Sequence, residues 1–451
     1  MAEQGKAPTV TARTKQGADT EGVATKRPKV EASIWTERMV SALVSGVKGG
    51  RWFSLIDKVW APATLALAWA KVRANKGAAG VDGQSLEKFA ANSEEYLRES
   101  RLFTAAVSSA LKDGSYRPQP VRRVDIPKDD GGTRALGIPA VKDRIVQTAT
   151  KLVIEPIFEA TFMDGSYGFR PERSCHDALR EVDRSIKEGF TFVVDADLKG
   201  YFDSIPHDRL MERVEERISD GRLLDLLRGW LKADVLKDAQ RWTPTAGAPQ
   251  GAVISPLLAN IYLHPLDERM AALGYRMVRY ADDFVVLCRH REEADAALAV
   301  IRHWVEDNGL DLHPGKTQVG DCRKPGEGFD FLGYRFEAGR RWVRKKSLMR
   351  FKHRIRDKTG RSRGDSLARI VTDLNPLLVG WFGYFKHAYM TEFISLDGFI
   401  RRRLRAVLRK QDKSPGLGHS LLDHTRWPKA FFATAGLFAL HTAWQTARHS
   451  R

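Results

Sequence analysis

Cysteine and long apolar runs are both scarce in this chain of 451 residues. The three cysteines, Cys175, Cys288 and Cys322, lie far apart without C-x-x-C spacing, which excludes a disulfide scaffold and a cysteine-rich structural zinc site. The chain starts without the apolar region of a signal peptide, and no apolar run reaches the roughly 18 residues that span a bilayer. The longest candidate, 427–444, is interrupted by a lysine and a histidine. We therefore expect a soluble protein of a reducing compartment with no membrane partner.

Acidic residues are fewer than basic residues in this chain. Against 74 Lys and Arg there are 56 Asp and Glu, which gives a net charge of +18 and an isoelectric point near 9.8. Residues 341–413 alone hold 20 basic and 6 acidic side chains, a net charge of +14. Such a surplus indicates a polyanionic partner, either a nucleic acid or an anionic membrane face. Without a membrane segment, a nucleic acid is the better prediction.

The composition divides the chain into five segments. Residues 1–34 are polar and contain no aromatic side chain, so they are predicted to be a disordered extension, with a basic binding arm as the alternative. Apolar residues at helical spacing predict a helical segment over 35–85. Alternating helix and strand patterns over 86–340 predict an α/β or α+β core. The basic segment 341–413 is predicted to be helical, and a small aromatic-rich tail covers 414–451.

Two predicted strand regions carry acidic residues at their ends. Residues 190–194 favour a buried strand, with Asp197 just past its end. Apolar strands over 277–280 and 284–288 are separated by Ala281, Asp282 and Asp283, a pattern typical of a hairpin turn. An acidic pair beside apolar strands is costly because like charges repel and lose hydration. Divalent cations remove that cost, although a solvated turn is the ordinary interpretation of such a pair.

The surrounding residues resemble the reverse transcriptases encoded by bacterial group II introns. The likeness is dense over 75–336 and continues into the basic segment; 192–203 and Tyr280 to Asp283 are similar to the two catalytic motifs of that family. The resemblance implies a right-hand polymerase of the α+β class, with fingers and a palm built on an antiparallel sheet and an α-helical thumb or maturase domain after them. It also implies a catalytic centre in which Asp197, Leu198, Asp282 and Asp283 bind two Mg²⁺ ions, for which Mn²⁺ can substitute. Asp195 shares the strand face of Asp197, but the family pattern favours Asp197, so Asp195 is left out.

The resemblance further implies a nucleotide-binding set. Residues 126–134 resemble the fingers hairpin that covers the triphosphate, and 247–260 resemble the motif that packs against the incoming nucleotide. A catalytic lysine, Lys316, that protonates the pyrophosphate is implied as well, with an ordinary surface lysine as the alternative. For Phe202 the alternative is a position in the apolar core. The implied residues are Lys128, Arg134, Phe202, Gln250 and Gly251 for the nucleotide, and Lys316 for the proton.

Residues 374–385 resemble the thumb or maturase domain, which in the family grips template–primer and intron RNA. The last helix of the basic segment is predicted to begin at Asp397, and its arginines supply phosphate contacts. The predicted RNA-binding residues are Arg344, Lys345, Lys346, Arg350, Arg401, Arg402, Arg403 and Arg405.

The resemblance therefore implies an RNA-directed DNA polymerase that binds its group II intron RNA, assists splicing and mobilises the intron. Its expected partners are the intron RNA, an RNA template with a DNA primer, dNTPs and target DNA, in the bacterial cytoplasm and at the nucleoid. His419 and His424 lack the partners of a zinc site, so no endonuclease is expected. A splicing-only RNA chaperone and a domesticated reverse transcriptase of phage defence are the alternatives.

Overall fold

The computed structural model describes residues 30–47, 49–86, 104–127 and 131–449. Most of the predicted N-terminal extension and the nucleotide-binding candidate Lys128 lie outside these residues. Within them, no helix combines the length and the apolar character that a bilayer span needs.

Sixteen helices can be delimited within the described ranges, and residues 104–113 are also helical. They are α1 Glu37–Ser45, α2 Ile56–Val59, α3 Pro62–Asn75, α4 Val141–Glu159, α5 Cys175–Lys187, α6 Tyr201–Ser204, α7 His207–Glu215, α8 Gly221–Leu231, α9 Ser255–Ala272, α10 Arg291–Asp307, α11 Lys345–Lys358, α12 Leu367–Phe385, α13 Met390–Gln411, α14 Leu421–Arg426, α15 Lys429–Thr434 and α16 Leu440–His449.

Eleven strands within the same ranges form three sheets. They are β1 Val121–Pro127, β2 Thr133–Ile138, β3 Phe192–Asp197, β4 Val235–Lys237, β5 Gln240–Trp242, β6 Arg276–Tyr280, β7 Asp283–Cys288, β8 Gln318–Asp321, β9 Phe329–Phe331, β10 Tyr334–Glu337 and β11 Arg340–Val343. The sheet orders are β2-β1-β4-β5, β6-β7-β3-β8 and β11-β10-β9. Every pairing is antiparallel except that of β1 with β4. The expected α+β class is confirmed.

The β6-β7-β3-β8 sheet, called the central sheet below, is packed on both faces. Successive side chains of a strand point to opposite faces, so Val194 and Ala196 enter one apolar cluster with α4, α9 and α10. Val193 and Leu287 enter a second cluster with α5, the β9–β11 sheet and the C-terminal helices. Asp195 and Asp197 share the face of Val193, so the carboxylates lie where the second cluster ends.

Three predicted boundaries were wrong. Strand β3 continues through Asp197 rather than ending at Val194, because it pairs with β7 as far as Asp283. The hairpin turn has two residues, Ala281 and Asp282, since Tyr280 pairs directly with Asp283. Helix α13 begins at Met390, seven residues before the predicted start at Asp397, because the tertiary contacts of Phe393 bury the additional turns.

The second cluster crosses the predicted segment boundaries. It joins central-sheet residues to Phe393 and Leu404 of α13 and to Trp427 and Phe432 beyond it. Segments 86–340, 341–413 and 414–451 therefore share one core, and their boundaries remain predictions from composition.

Candidate active site

The central sheet brings the carboxylates of Asp197 and Asp283 together. The two residues are direct cross-strand partners on β3 and β7, and directly opposed residues of an antiparallel pair point to the same face. Asp282 occupies the adjoining turn, where Ala281 has a φ of 60°. Strand pairing thus brings Asp197 beside the Asp282–Asp283 pair, from which it is 85 positions away in sequence.

A loop packed behind the hairpin fixes its position. The backbone N–H of Arg279 donates to Gly165 O at 2.8 Å, and that of Tyr167 donates to Arg279 O at 2.8 Å. A Cβ at Gly168 would overlap the backbone of Ala281, so only glycine allows the loop to approach the turn this closely. The loop 165–168 therefore supports the acidic turn.

Arg279 anchors the hairpin from inside the protein, and the sequence analysis missed it. Its side chain is 0% exposed, and its Nε donates to Asp267 Oδ1 at 2.7 Å. Its Nη1 donates to Asn260 Oδ1 at 2.9 Å and to Ala281 O at 3.0 Å. The guanidinium therefore ties the turn to α9. An arginine within an apolar strand was the available signal.

Burial and mutual repulsion raise the pKa of three carboxyl groups at this edge of the sheet. Burial, followed by the charges of three neighbouring aspartates, raises the pKa of Asp283 to about 7. Burial also raises the pKa of Asp282, opposed by the charge of Arg134. Asp195, which the sequence analysis left out, belongs to this group, because burial and the charges of Asp330 and Asp197 raise its pKa to about 7.

This donor set fits a hard divalent cation, since carboxylates that destabilise one another when ionised gain most from a bound cation. In the described parts of the chain, however, no three metal-ligating side chains are close enough together to hold an ion. Asp197 instead pairs with Lys316, whose Nζ lies 2.8 Å from Asp197 Oδ2.

Leu198 can contribute only its backbone to such a site, because its side chain is buried in the core. The backbone N–H of His313 donates to Asp197 O, and consecutive carbonyls of a strand point in opposite directions. The carbonyl of Leu198 therefore points away from His313, to the side of β7 and the acidic turn.

The predicted nucleotide-binding residues Arg134, Gln250 and Gly251 lie together. Arg134 Nε donates to Gln250 Oε1 at 2.9 Å, and the N–H of Gly137 donates to Gln250 O at 2.6 Å. Gly251 has a φ of +106°, and a Cβ there would lie 2.5 Å from Gly137 O. Glycine is thus required where the loop before α9 meets β2. Because the charge of Arg134 acts on Asp282, this group faces the acidic turn.

Phe202 is 7% exposed and lies in the first apolar cluster. Its carbonyl accepts a hydrogen bond from the N–H of Ala248 at 2.7 Å, and its ring contacts Tyr201 edge to face. The sequence motif 247–260 therefore lies directly against Phe202, one of the residues predicted to bind the nucleotide.

The predicted RNA-binding residues divide into exposed and buried groups. Arg344, Lys345, Lys346 and Arg350 are exposed, and Arg401, Arg402 and Arg403 are half-buried. Arg344 Nε lies 2.8 Å from Asp330 Oδ2, and its charge reaches Asp195 and Asp283.

Arg405 is a correction to the predicted RNA-binding set. It is 4% exposed, and its Nε and Nη2 both donate to Trp427 O, at 3.0 and 2.9 Å. The tail covers this arginine, so its guanidinium stabilises the C-terminal packing and does not reach a phosphate.

Fold and site together define a reverse transcriptase. The family described as "Reverse transcriptase (RNA-dependent DNA polymerase)" matches residues 126–336, and "Group II intron, maturase-specific domain" matches residues 348–424. The chain belongs to the group II intron-encoded reverse transcriptases with a maturase domain, which confirms the resemblance. Membership implies dependence on a divalent metal ion.

Two relatives illustrate the match. Protein YkfC of Escherichia coli (strain K12) is 35% identical over 324 residues, covering 62% of this chain and 82% of that protein. The group II intron-encoded protein LtrA of Lactococcus lactis subsp. cremoris is 39% identical over 216 residues, covering 47% of this chain and 34% of LtrA. The matched part is thus about a third of LtrA, and the expected lack of an endonuclease remains a prediction. A solved structure of telomerase from Candida albicans aligns with 70% of this chain and 62% of its own at 13% identity and a TM-score of 0.41.

Proposed function

We propose that this chain is an RNA-directed DNA polymerase that also binds its intron RNA and assists the splicing and mobility of the intron. The observation that carries the proposal is the direct pairing of Asp197 with Asp283 beside Asp282, with Arg134 facing the same turn. The proposed substrates are dNTPs and an RNA template with a DNA primer, and target DNA is the proposed insertion site.

Two Mg²⁺ ions, or Mn²⁺ in their place, are proposed to be held by Asp197, Asp282, Asp283 and the carbonyl of Leu198. Bound ions of this kind activate the attacking hydroxyl and stabilise the leaving pyrophosphate. The chain supports this centre through the buried anchor Arg279, which fixes the turn to α9.

The residues around the centre are proposed to orient the nucleotide. Arg134 can contact the triphosphate with two N–H groups, while Gln250 orients its guanidinium. Lys128 is proposed as a second phosphate contact. Lys316, held 2.8 Å from Asp197, is the proposed proton donor to pyrophosphate, since an ammonium group there acts as a general acid. Phe202, packed beneath the loop that contains Gln250, is proposed to exclude a ribose 2′-hydroxyl.

Intron RNA is proposed to bind the basic helices through phosphate contacts. The exposed cations Arg344, Lys345, Lys346 and Arg350, with the half-buried Arg401, Arg402 and Arg403, supply this positive charge, and none of them is a proposed metal ligand or nucleotide contact. Such contacts release counterions from RNA, so binding weakens as salt rises. Polymerisation and RNA binding therefore use different side chains.

Primer extension on an RNA template with Mg²⁺, run beside splicing of the cognate intron, tests the proposal. The double variant Asp282→Ala with Asp283→Ala should abolish extension, because two of the three proposed ligand side chains are gone, and should leave splicing intact. The matched control removes two exposed carboxylates of α10, Asp295→Ala with Asp307→Ala, and should extend primers like the wild type. Extension by the first double variant would refute the assigned site.

A further inference from the structure

A groove of about 640 Å³ lies between the β10–β11 turn, the junction of α12 with α13, and α16. Its lining includes Arg340, Arg341, Lys386, Tyr389, Trp444 and Arg448. We call it the basic groove. None of these six residues belongs to the candidate polymerase site or to the predicted RNA-binding set.

Positive charge dominates the basic groove. Arg340, Lys386 and Arg448 are exposed, and no carboxylate within the described ranges forms an ion pair with any of them. The one acidic residue among the described lining residues, Asp183, lies 4.0 Å from Arg341 and 2.9 Å from Lys187. Three cations thus remain for an anionic ligand.

Arg341 adds a further hydrogen-bond donor to the groove. Its guanidinium lies over the rings of Tyr334 and Phe336, at 5.5 and 5.9 Å, so the side chain is held in place. Its Nε is buried and has no hydrogen-bond partner in the described structure. A buried guanidinium N–H without a partner is costly, and an anion in the groove would relieve that cost.

Aromatic rings hold the exposed arginines at the groove. The Arg340 guanidinium lies 4.3 Å from the centre of the Tyr389 ring, and that of Arg448 lies 5.1 Å from the Trp444 ring. Trp342 contacts Tyr389 edge to face, with the ring centres 5.0 Å apart. Such stacking fixes a guanidinium plane while its N–H edge stays available to phosphate. Alternating rings and cations suit a single strand, whose bases and phosphates alternate in the same way.

The groove is distinct from the acidic centre and lies only partly within the matched family regions. Arg340 and Arg344 lie at opposite ends of β11, and only Arg344 pairs with Asp330 beside the carboxylates. Arg340 and Arg341 fall between the matched ranges 126–336 and 348–424, while Trp444 and Arg448 lie beyond both.

We propose that the basic groove binds a single-stranded segment of RNA while the polymerase centre holds template and primer. RNA is favoured over other polyanions because the maturase-specific region supplies Lys386 and Tyr389 to the groove. The inference rests on the proposed function, because it assumes that the polymerase centre already holds an RNA template and that the RNA in the groove is a second molecule or segment.

The test uses the full chain saturated with template–primer and Mg²⁺, and a fluorescein-labelled uridylate 12-mer as the probe. The triple variant Arg340→Glu, Lys386→Glu, Arg448→Glu should weaken probe binding about ten-fold or more. It should also reduce the slope of log K against log salt by about 2, since each single-strand phosphate contact contributes about 0.7. Primer extension without the probe should be unchanged.

A matched control reverses three exposed cations outside the groove, Arg217→Glu, Lys232→Glu and Arg302→Glu, and should leave probe binding within about two-fold of the wild type, because long-range effects are screened. The milder pair Lys386→Gln with Arg448→Gln guards against misfolding and should reduce the slope by about 1.4.

Four results would overturn the inference. They are equal weakening by the two triple variants, unchanged binding in the groove variants, tighter binding of a thymidylate 12-mer than of the uridylate probe, and loss of primer extension in the folded groove variants. These results can be distinguished from a failure of the proposed function, in which the wild-type protein itself would not extend the primer.

Discussion

At the residue scale, the acidic centre depends on a cation that never touches substrate. Arg279 is enclosed by Asp267, Asn260 and the carbonyl of Ala281. A buried ion pair is not by itself a strong source of stability, because desolvation offsets much of the attraction. Its value here is geometric, since three hydrogen-bond partners on two elements fix the turn that presents Asp282.

Replacing Arg279 should therefore separate stability from catalysis. Arg279→Met leaves the Asp267 carboxylate buried without its partner, and the free energy of unfolding should fall by about 3–5 kcal/mol. The double variant Arg279→Met with Asp267→Leu removes both charges and should recover most of that loss. Its primer-extension rate should remain low, because the bond to Ala281 is still absent. Urea unfolding and single-nucleotide incorporation measure the two effects; full recovery of the rate would contradict the positioning role.

The carboxylates also predict a pH dependence of stability. Burial raises the folded-state pKa of Asp283 to about 7, well above its ordinary value of 3.8. The folded protein therefore binds a proton between these values that the unfolded chain has released. This contribution to stability is complete below pH 3.8 and is lost as the pH rises through 7.

Melting in EDTA between pH 5 and pH 8 tests this sign. The Tm of the wild type relative to Asp283→Asn should fall across the interval, so that the variant is the more stable protein at pH 8. Added Mg²⁺ should raise the Tm of the wild type more than that of the variant. Parallel pH curves for the two proteins would contradict the raised pKa.

The sequence predicts those site residues whose position is set by neighbouring residues in the chain, and it misses those whose environment is set by distant segments. Asp197, Asp282 and Asp283 stand in short motifs, and the strands that align them also show in the local pattern. Asp195 has the same pattern but was set aside because the family pattern favours Asp197, and its raised pKa comes from burial and from charges that include Asp330, which is distant in sequence. Arg405 was misassigned for the same reason: its partner, Trp427 O, lies 22 residues away in the tail.

At the element scale, the C-terminal helix α16 is tied to α13 through Asp397. The Oδ1 and Oδ2 atoms of this buried carboxylate accept hydrogen bonds from the backbone N–H groups of Leu440 and His441, at 3.0 and 3.1 Å. Unpaired N–H groups at a helix start favour a negative partner. Asp397 was predicted as the first residue of a helix, whereas it lies inside α13 and caps a different helix. Sequence spacing cannot reveal a cap that comes from another element.

Removing this cap should loosen α16 selectively. Asp397→Ala leaves two buried N–H groups without a partner and should reduce the free energy of unfolding by about 1–3 kcal/mol. Limited proteolysis should cut within 436–449 before it cuts elsewhere in the C-terminal half. The control Asp357→Ala removes an exposed carboxylate from α11 and should change neither measurement. Equal protease resistance in the two variants would show that α16 does not depend on Asp397.

At the scale of the whole molecule, the acidic centre and the C-terminal helices share one core. The second apolar cluster extends from Val193 and Leu287 in the central sheet to Trp427, Phe432 and Leu440. The division at positions 341 and 414 followed charge and turn-forming residues. Composition along the chain does not reveal this continuity, because the cluster includes residues more than 200 positions apart in sequence.

The shared core predicts what a truncation does. Deleting residues 414–451 removes the buried side chains of Trp427, Phe432 and Leu440, each contributing about 1.5–3 kcal/mol, and exposes Arg405 and Phe393. The Tm should fall by roughly 10 °C or more, and primer extension should fall with it, because the central sheet loses part of the packing on its catalytic face. The matched control keeps the tail but replaces its exposed leucines, Leu421→Ser with Leu422→Ser, and should melt like the full chain. A truncated protein with the Tm and primer-extension rate of the full chain would mean that the tail folds as a separate unit.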